Sequence, residues 1–223
     1  MQRGPQASST STLLAAIFVP PVGLCLGRYS ATVPDLPFTE EVTALSGPNG
    51  HIDWLNCGFE SEHGWQPPYI RMEDIVTHSL SSALKNYNSP FKACSQFTWI
   101  FEKYGRQYNI PPILLASFAM QESSCRPDVV GGGGEQGLMQ ISGEKCIGAP
   151  NAGGCRDPVR HLLQRPLWRC SYQFKEFNIR TAAKYFADTL KNNNGDVLLS
   201  VGTYNGWYRG LTKVGGSQLG LIL

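Results

Sequence analysis

The chain has 223 residues, 42% of them hydrophobic, which is enough for one well-buried domain with an appendage. Its formal net charge is +2 and its 19 basic side chains are scattered. No basic stripe follows a phosphate backbone, so nucleic acid is excluded as an expected partner.

Residues 1–27, MQRGPQASSTSTLLAAIFVPPVGLCLG, carry Arg3 and then an apolar stretch interrupted by Pro20 and Pro21. That pattern predicts a signal peptide, and the run is too short and broken for a membrane span of ~20 residues; a buried N-terminal helix is the bland alternative. Cleavage after Gly27 would put Cys25 and Gly27 at the positions a signal peptidase reads, with Ala31 as another option. The expectation is a secreted, extracellular protein without a membrane span.

Secretion directs the seven cysteines toward disulfides, and loss of Cys25 with the signal leaves six. Cys146 and Cys155 flank IGAPNAGG, a Gly- and Pro-containing reversal that a local bridge would close. Cys57, Cys94, Cys125 and Cys170 allow three pairings, and the sequence does not choose among them. No two cysteines stand at CxxC spacing, and His63, His78 and His161 fall in unrelated contexts, so no metal site is expected.

Residues 28–91 are rich in Pro, Gly, Ser and Asn, with no sustained period, and read as an irregular lead-in or a removed pro-segment. The domain is expected over 92–223. Its first helix shows in the stripe Cys94, Phe97, Ile100, Phe101, Tyr104 and Tyr108. Pro111 and Pro112 suit the first turn of a second, and ILLASFAM, apolar on every side, places that helix in the core. A third, IRTAAKYFADTLKNNNG, aligns Ile179, Ala183, Phe186 and Leu190 and stops at Gly195. Asp196 caps a short fourth, VLLSVGTY. Strand signals are weak and no repeat is visible, so the fold class is mainly α.

Glu122 falls in the last turn of the second, buried helix. The negative helix end and the loss of water both disfavour its ionisation, so its pKa should rise. A carboxylic acid still protonated near neutral pH suits general-acid cleavage of a glycosidic bond, because the leaving alkoxide takes up a proton as the bond breaks. The bland alternative is a surface glutamate at a frayed helix end.

After QES come VVGGGGEQ, GLMQI and, much later, TYNGW. In this order and spacing, from about Phe97 to Trp207, they resemble the catalytic domain of the soluble lytic transglycosylase and goose-type lysozyme families, classed together in glycoside hydrolase family 23. IPPILLASFAMQES and NIRTAAKYF look most like the secreted fungal members. The resemblance implies a lysozyme-like α fold (an SLT domain). It also implies Glu122 as general acid and then base on the β-1,4 bond between N-acetylmuramic acid and N-acetylglucosamine in peptidoglycan. Ser123 would bond near the substrate or orient the loop. Gly137 would admit close backbone approach, Met139 would line the cleft, and Gln140 would bond sugar substituents. Tyr204 would hold Glu122 or a substrate amide, Asn205 would contact an N-acetyl group, and Trp207 would stack on a sugar ring. Taken singly, Met139 reads as plain core, Tyr204 and Asn205 as a helix-ending turn, and Trp207 as packing.

A two-carboxylate glycosidase needs a second acid. Asp128, Glu135 and Glu144 are available, none matches the family pattern, and Glu135 stands in reserve. Without a second acid, the muramoyl 6-hydroxyl would attack the anomeric carbon and give a 1,6-anhydro product, which needs Glu122 alone. Hydrolysis, a catalytically weak glycan binder, and action on chitin-like oligosaccharides are the alternatives. No cofactor is implied, and a monomer is the default. Two departures stand out: VRHLLQRPLWRCSYQFKE, residues 159–176, intervenes where the family is short, as a surface insertion or a translated intron. Past GWYRGLTK the chain runs out in VGGSQLGLIL where relatives continue, which reads as a truncated end.

Overall fold

A computed structural model describes residues 58, 62–75, 77–146, 148–149 and 168–212. The expected signal peptide, Cys57, Cys155, most of the 147–167 segment and the C-terminal VGGSQLGLIL lie outside the described residues. The fold is mainly helical, and the described residues form two compact units, one of residues up to 77 and from 189 onward, the other of residues 78–188.

In the 78–188 unit, Ser79 accepts the Ser82 N–H at 3.1 Å and so caps α1 (Leu80–Lys85). A 3-10 run over Pro90–Phe97 follows, with Phe91, Cys94 and Phe97 buried. After Phe97 the coil widens into α2 (Thr98–Tyr108), which buries Ile100, Phe101 and Tyr104. The expected stripe is therefore one continuous inward face, built from two helix types because a Pro at the first turn and Ser89 at the cap start it as 3-10. Asn109, at φ 54°, ends α2, and Gly105 lets the next segment pass close: a Cβ there would stand 2.7 Å from the Ile110 carbonyl oxygen.

Pro112 opens α3 (Pro112–Ser123), and Ile113 through Ala119 are all buried. Phe118 meets Phe186 edge-on at 4.9 Å, one of several core side chains whose burial stabilises by roughly 1.5–3 kcal/mol each. No glycine ends the helix. Ser124 and Cys125 both turn left-handed, at φ 53° and 56°, and the Cys125 N–H reaches back to the Ala119 carbonyl at 3.0 Å. A disulfide from Cys125 to Cys94, Cα–Cα 5.2 Å, pins this turn to the 3-10 run. Of the four cysteines the sequence leaves unassigned, it joins these two.

The helix α4 (Trp168–Asn192) begins ten residues before Asn178, so Trp168–Glu176 of the intervening segment is helical. Phe174, Phe177, Asn178, Ala182 and Phe186 lie buried along it. Glu176, inside that segment, accepts the Tyr104 hydroxyl at 2.8 Å and pairs with Lys103.

In the other unit, Asn194 and Gly195 turn left-handed to close α4, and Asp196 accepts the Leu199 N–H at 3.1 Å to start α5 (Val197–Tyr204). The expected stop and cap are both there. Part of the lead-in belongs to this unit: Trp65 is fully enclosed, and its N–H bonds the Leu211 carbonyl at 2.7 Å. Gly202 is required beneath the indole, since a Cβ would stand 2.1 Å from Cη2. Among the described residues no helix is long and apolar enough to cross a membrane, and no cluster of His, Cys, Asp and Glu is arranged for a metal ion.

Candidate active site

The chain around Glu122 is arranged by the end of α3. Because α3 is apolar on every side, its last turn leaves the core only as the helix closes, and Glu122 sits there, mostly surrounded by protein. Burial pushes its carboxyl up to about 7, and the negative charge of Glu135 adds to the shift. Near neutral pH about half of the molecules therefore hold the proton that a general acid delivers.

Glu135 owes its position to glycine. Its Oε2 accepts the Gly133 N–H at 3.1 Å. A Cβ on Gly131 would come within 2.5 Å of that oxygen and 2.6 Å of the Gln140 Oε1, and one on Gly133 within 2.5 Å of the Glu135 Oε1. The glycines of VVGGGGEQ thus let the loop fold onto a carboxylate. Two isolated bridges, Val130 with Gln136 and Gln136 with Ile141, hold the base of the loop.

The GLMQ segment follows as a tight turn. Gly137 is at φ 78°, a conformation that favours glycine, and Gln140 is at φ 44°, which costs a side-chain-bearing residue of order 1 kcal/mol. The Gln140 amide nitrogen donates to the Gly137 carbonyl at 2.8 Å and the Val129 carbonyl at 3.3 Å, so it braces the loop. Met139 is fully enclosed and lies in the core. Ser123 is buried, and its hydroxyl donates to the Leu138 carbonyl at 2.8 Å, the loop-orienting alternative of the two roles expected for it.

Asn178, which sequence reasoning passed over, holds the same segment from α4. Its Oδ1 accepts the Met139 N–H and its Nδ2 donates to the Gln136 carbonyl, each at 2.8 Å. The signal was present: an amide stands at the i+4 step between Phe174 and Ala182 on a buried face, where a polar group is costly unless bonded.

Glu122, Ser123, Glu135, Gly137, Met139 and Gln140 all fall in the 78–188 unit, whereas Tyr204, Asn205 and Trp207 fall in the other. Tyr204 is the last residue of α5. Asn205 is exposed and its Nδ2 donates to the Val201 carbonyl at 3.3 Å. Trp207 is only 8% exposed and meets Trp65 edge-on at 5.4 Å. Cys146 is disulfide-bonded, and Cys155, the partner suggested by the sequence, lies outside the described residues. Asp128 is exposed, and Glu144 is exposed and bonded to Ser142 and Lys145.

The family model of the transglycosylase SLT domain matches residues 100–152. No curated protein and no solved structure matches the chain. The matched segment runs from α2 through the whole of α3, the glycine loop and GLMQ, and stops short of Asn178, Tyr204, Asn205 and Trp207. It supports a lytic-transglycosylase or lysozyme-like domain, an enzyme of the transglycosylase or glycosidase type that acts on the glycan of peptidoglycan.

Proposed function

We propose that the chain is a secreted enzyme of glycoside hydrolase family 23, of the fungal branch, that cleaves the β-1,4 bond between N-acetylmuramic acid and N-acetylglucosamine and leaves 1,6-anhydromuropeptides. One observation carries this reading: inside the segment matched to a transglycosylase domain, the carboxyl at the end of the buried helix holds its proton to about pH 7.

The chemistry needs no other acid. Neutral Glu122 gives its proton to the glycosidic oxygen as the bond from that oxygen to the anomeric carbon breaks. The substrate acetamide stabilises the positive charge at that carbon. The Glu122 carboxylate then takes the proton of the muramoyl 6-hydroxyl as its oxygen bonds to the same carbon, which restores the acid. Gln140, braced by its amide nitrogen, keeps its carbonyl oxygen for a sugar N–H or hydroxyl. Trp207, buried and edge-on to Trp65, packs within its own unit and offers no open face to a sugar ring, and in this reading the protein acts as a monomer.

Glu135 favours a second reading. Its charge reaches Glu122, so a water held by Glu135 would turn the reaction into hydrolysis. Mass spectrometry of the soluble products from peptidoglycan incubated with wild type, Glu122→Gln and Glu135→Gln separates the two. Anhydromuropeptides from wild type and Glu135→Gln, and none from Glu122→Gln, are expected, with a loss of about 10²–10⁴-fold in rate for Glu122→Gln. Reducing muropeptides that vanish with Glu135→Gln would establish hydrolysis. Binding without any Glu122-dependent product would leave a glycan-binding protein.

A further inference from the structure

The turn from Gln136 to Gln140 is gripped from two helices. From α3, the hydroxyl of Ser123, next to Glu122, holds the Leu138 carbonyl. From α4, Asn178 holds a carbonyl and an N–H three residues apart, those of Gln136 and Met139, both at 2.8 Å. Only one orientation of the amide satisfies both bonds, because one of its ends only donates and the other only accepts. Asn178 is 1% exposed, and asparagine is a poor residue for a helix interior. Its place on a buried face therefore has a cost that the two bonds offset.

What Asn178 holds is flanked by chemistry. Glu135 immediately precedes Gln136, and Gln140 immediately follows Met139. The Glu135 Oε2 and the Gln140 Oε1 also lie over the same glycine, Gly131, where a Cβ would stand 2.5 and 2.6 Å from them. Ser123 fixes the turn to the helix that carries Glu122, while Asn178 fixes the Gln136 carbonyl and the Met139 N–H to a different helix. The two anchors together set where the Glu135 carboxylate lies relative to Glu122.

We propose that Asn178 is a positioning residue, which fixes the loop bearing Glu135 and Gln140 against the Glu122 end of α3. The inference rests on the reading of Glu122 as the acid. A residue that only filled space would be replaceable by any side chain that folds. A positioning amide is replaceable only by a group that accepts from Met139 and donates to Gln136. Protonated aspartic acid is such a group, and aspartate is not.

The test measures kcat and KM of wild type, Asn178→Ala and Asn178→Asp on soluble glycan fragments of peptidoglycan, at temperatures where circular dichroism shows each variant folded. Asn178→Ala should lose on the order of 10–100-fold in kcat, as expected when the loop beside Glu122, with the Gln140 carbonyl that orients the sugar, loses its register to the acid. Asn178→Asp should be as weak at pH 7, and return to within a few-fold of wild type near pH 5 as its carboxyl takes up a proton and regains the donor. A folded Asn178→Ala with wild-type kcat, or an Asn178→Asp deficit that is the same at both pH values, would overturn the proposal. If Asn178→Ala fails to fold, the pH comparison on Asn178→Asp decides alone. If wild type gives no Glu122-dependent products, the functional reading fails separately. Asn178 is then judged from NMR titration of the Glu122 carboxyl, which should move to lower pH in Asn178→Ala as the Glu135 charge is displaced, and an unmoved titration sinks the inference.

Discussion

Glu122 shows what burying a carboxyl at a helix end does to stability. Its folded pKa of about 7 lies above the ordinary value of 4.5, chiefly through burial and secondarily through the charge of Glu135. Between these two pH values the folded chain keeps a proton that the unfolded chain has released. Stability therefore falls as pH rises across that window, by on the order of 3 kcal/mol once both states are ionised. Glu122→Gln removes the charge without removing the shape. Its melting temperature is expected to equal that of wild type near pH 4 and to exceed it at pH 8, in thermal unfolding followed by circular dichroism. Equal melting at both pH values would show that Glu122 titrates as an ordinary exposed carboxylate. The acid itself was legible in the sequence, because a charged residue directly after a long apolar run is a local signal. The partners of Asn178 were not, because they lie about 40 positions earlier in the chain.

Among the elements, α3 is the best determined by its own sequence: prolines at its start and an all-round apolar body leave little choice of place or type. Its end is another matter. Two consecutive left-handed residues that are not glycine are unfavourable by themselves, and the Cys94–Cys125 bridge holds them from outside the helix. The sequence separation of 31 corresponds to about 3–4 kcal/mol in the chain-entropy account. Replacing both cysteines with alanine is expected to lower unfolding free energy by about that amount in urea titration, and to lower turnover, because the released turn directly follows Glu122 and Ser123. A small stability loss with unchanged turnover would show that the hydrogen bonds at the helix end suffice. The early start of α4 escaped sequence reading because Trp168–Glu176 has little periodicity of its own. Contacts to Tyr104 and Lys103, made by Glu176 across more than 70 positions, bring that stretch into the fold.

For the molecule as a whole, the lead-in carries more structure than its composition suggests. Trp65 is enclosed within the unit that contains α5, its backbone bonds Gly210 and Leu211, and the Ile70 carbonyl accepts the Val197 N–H at 2.7 Å. A chain shortened to begin at residue 92 is expected to lose this support, with aggregation or a lower melting temperature and loss of the blue-shifted emission of enclosed tryptophan. A shortened chain that melts like the full one would mean that residues 28–91 are dispensable as a pro-segment. By itself the sequence determined the mainly helical class, the stop at Gly195 and the cap at Asp196, and the carboxyl at the end of the buried helix. All of these are set by neighbours within a few positions, where propensity and periodicity act. Tertiary structure alone decided the Cys94–Cys125 pairing, the role of Asn178, the folding of the glycine loop onto Glu135, and the burial of Trp65 on Gly202. Each of these depends on side chains meeting backbone or other side chains around a shared core, and a linear pattern does not encode which distant surfaces come together.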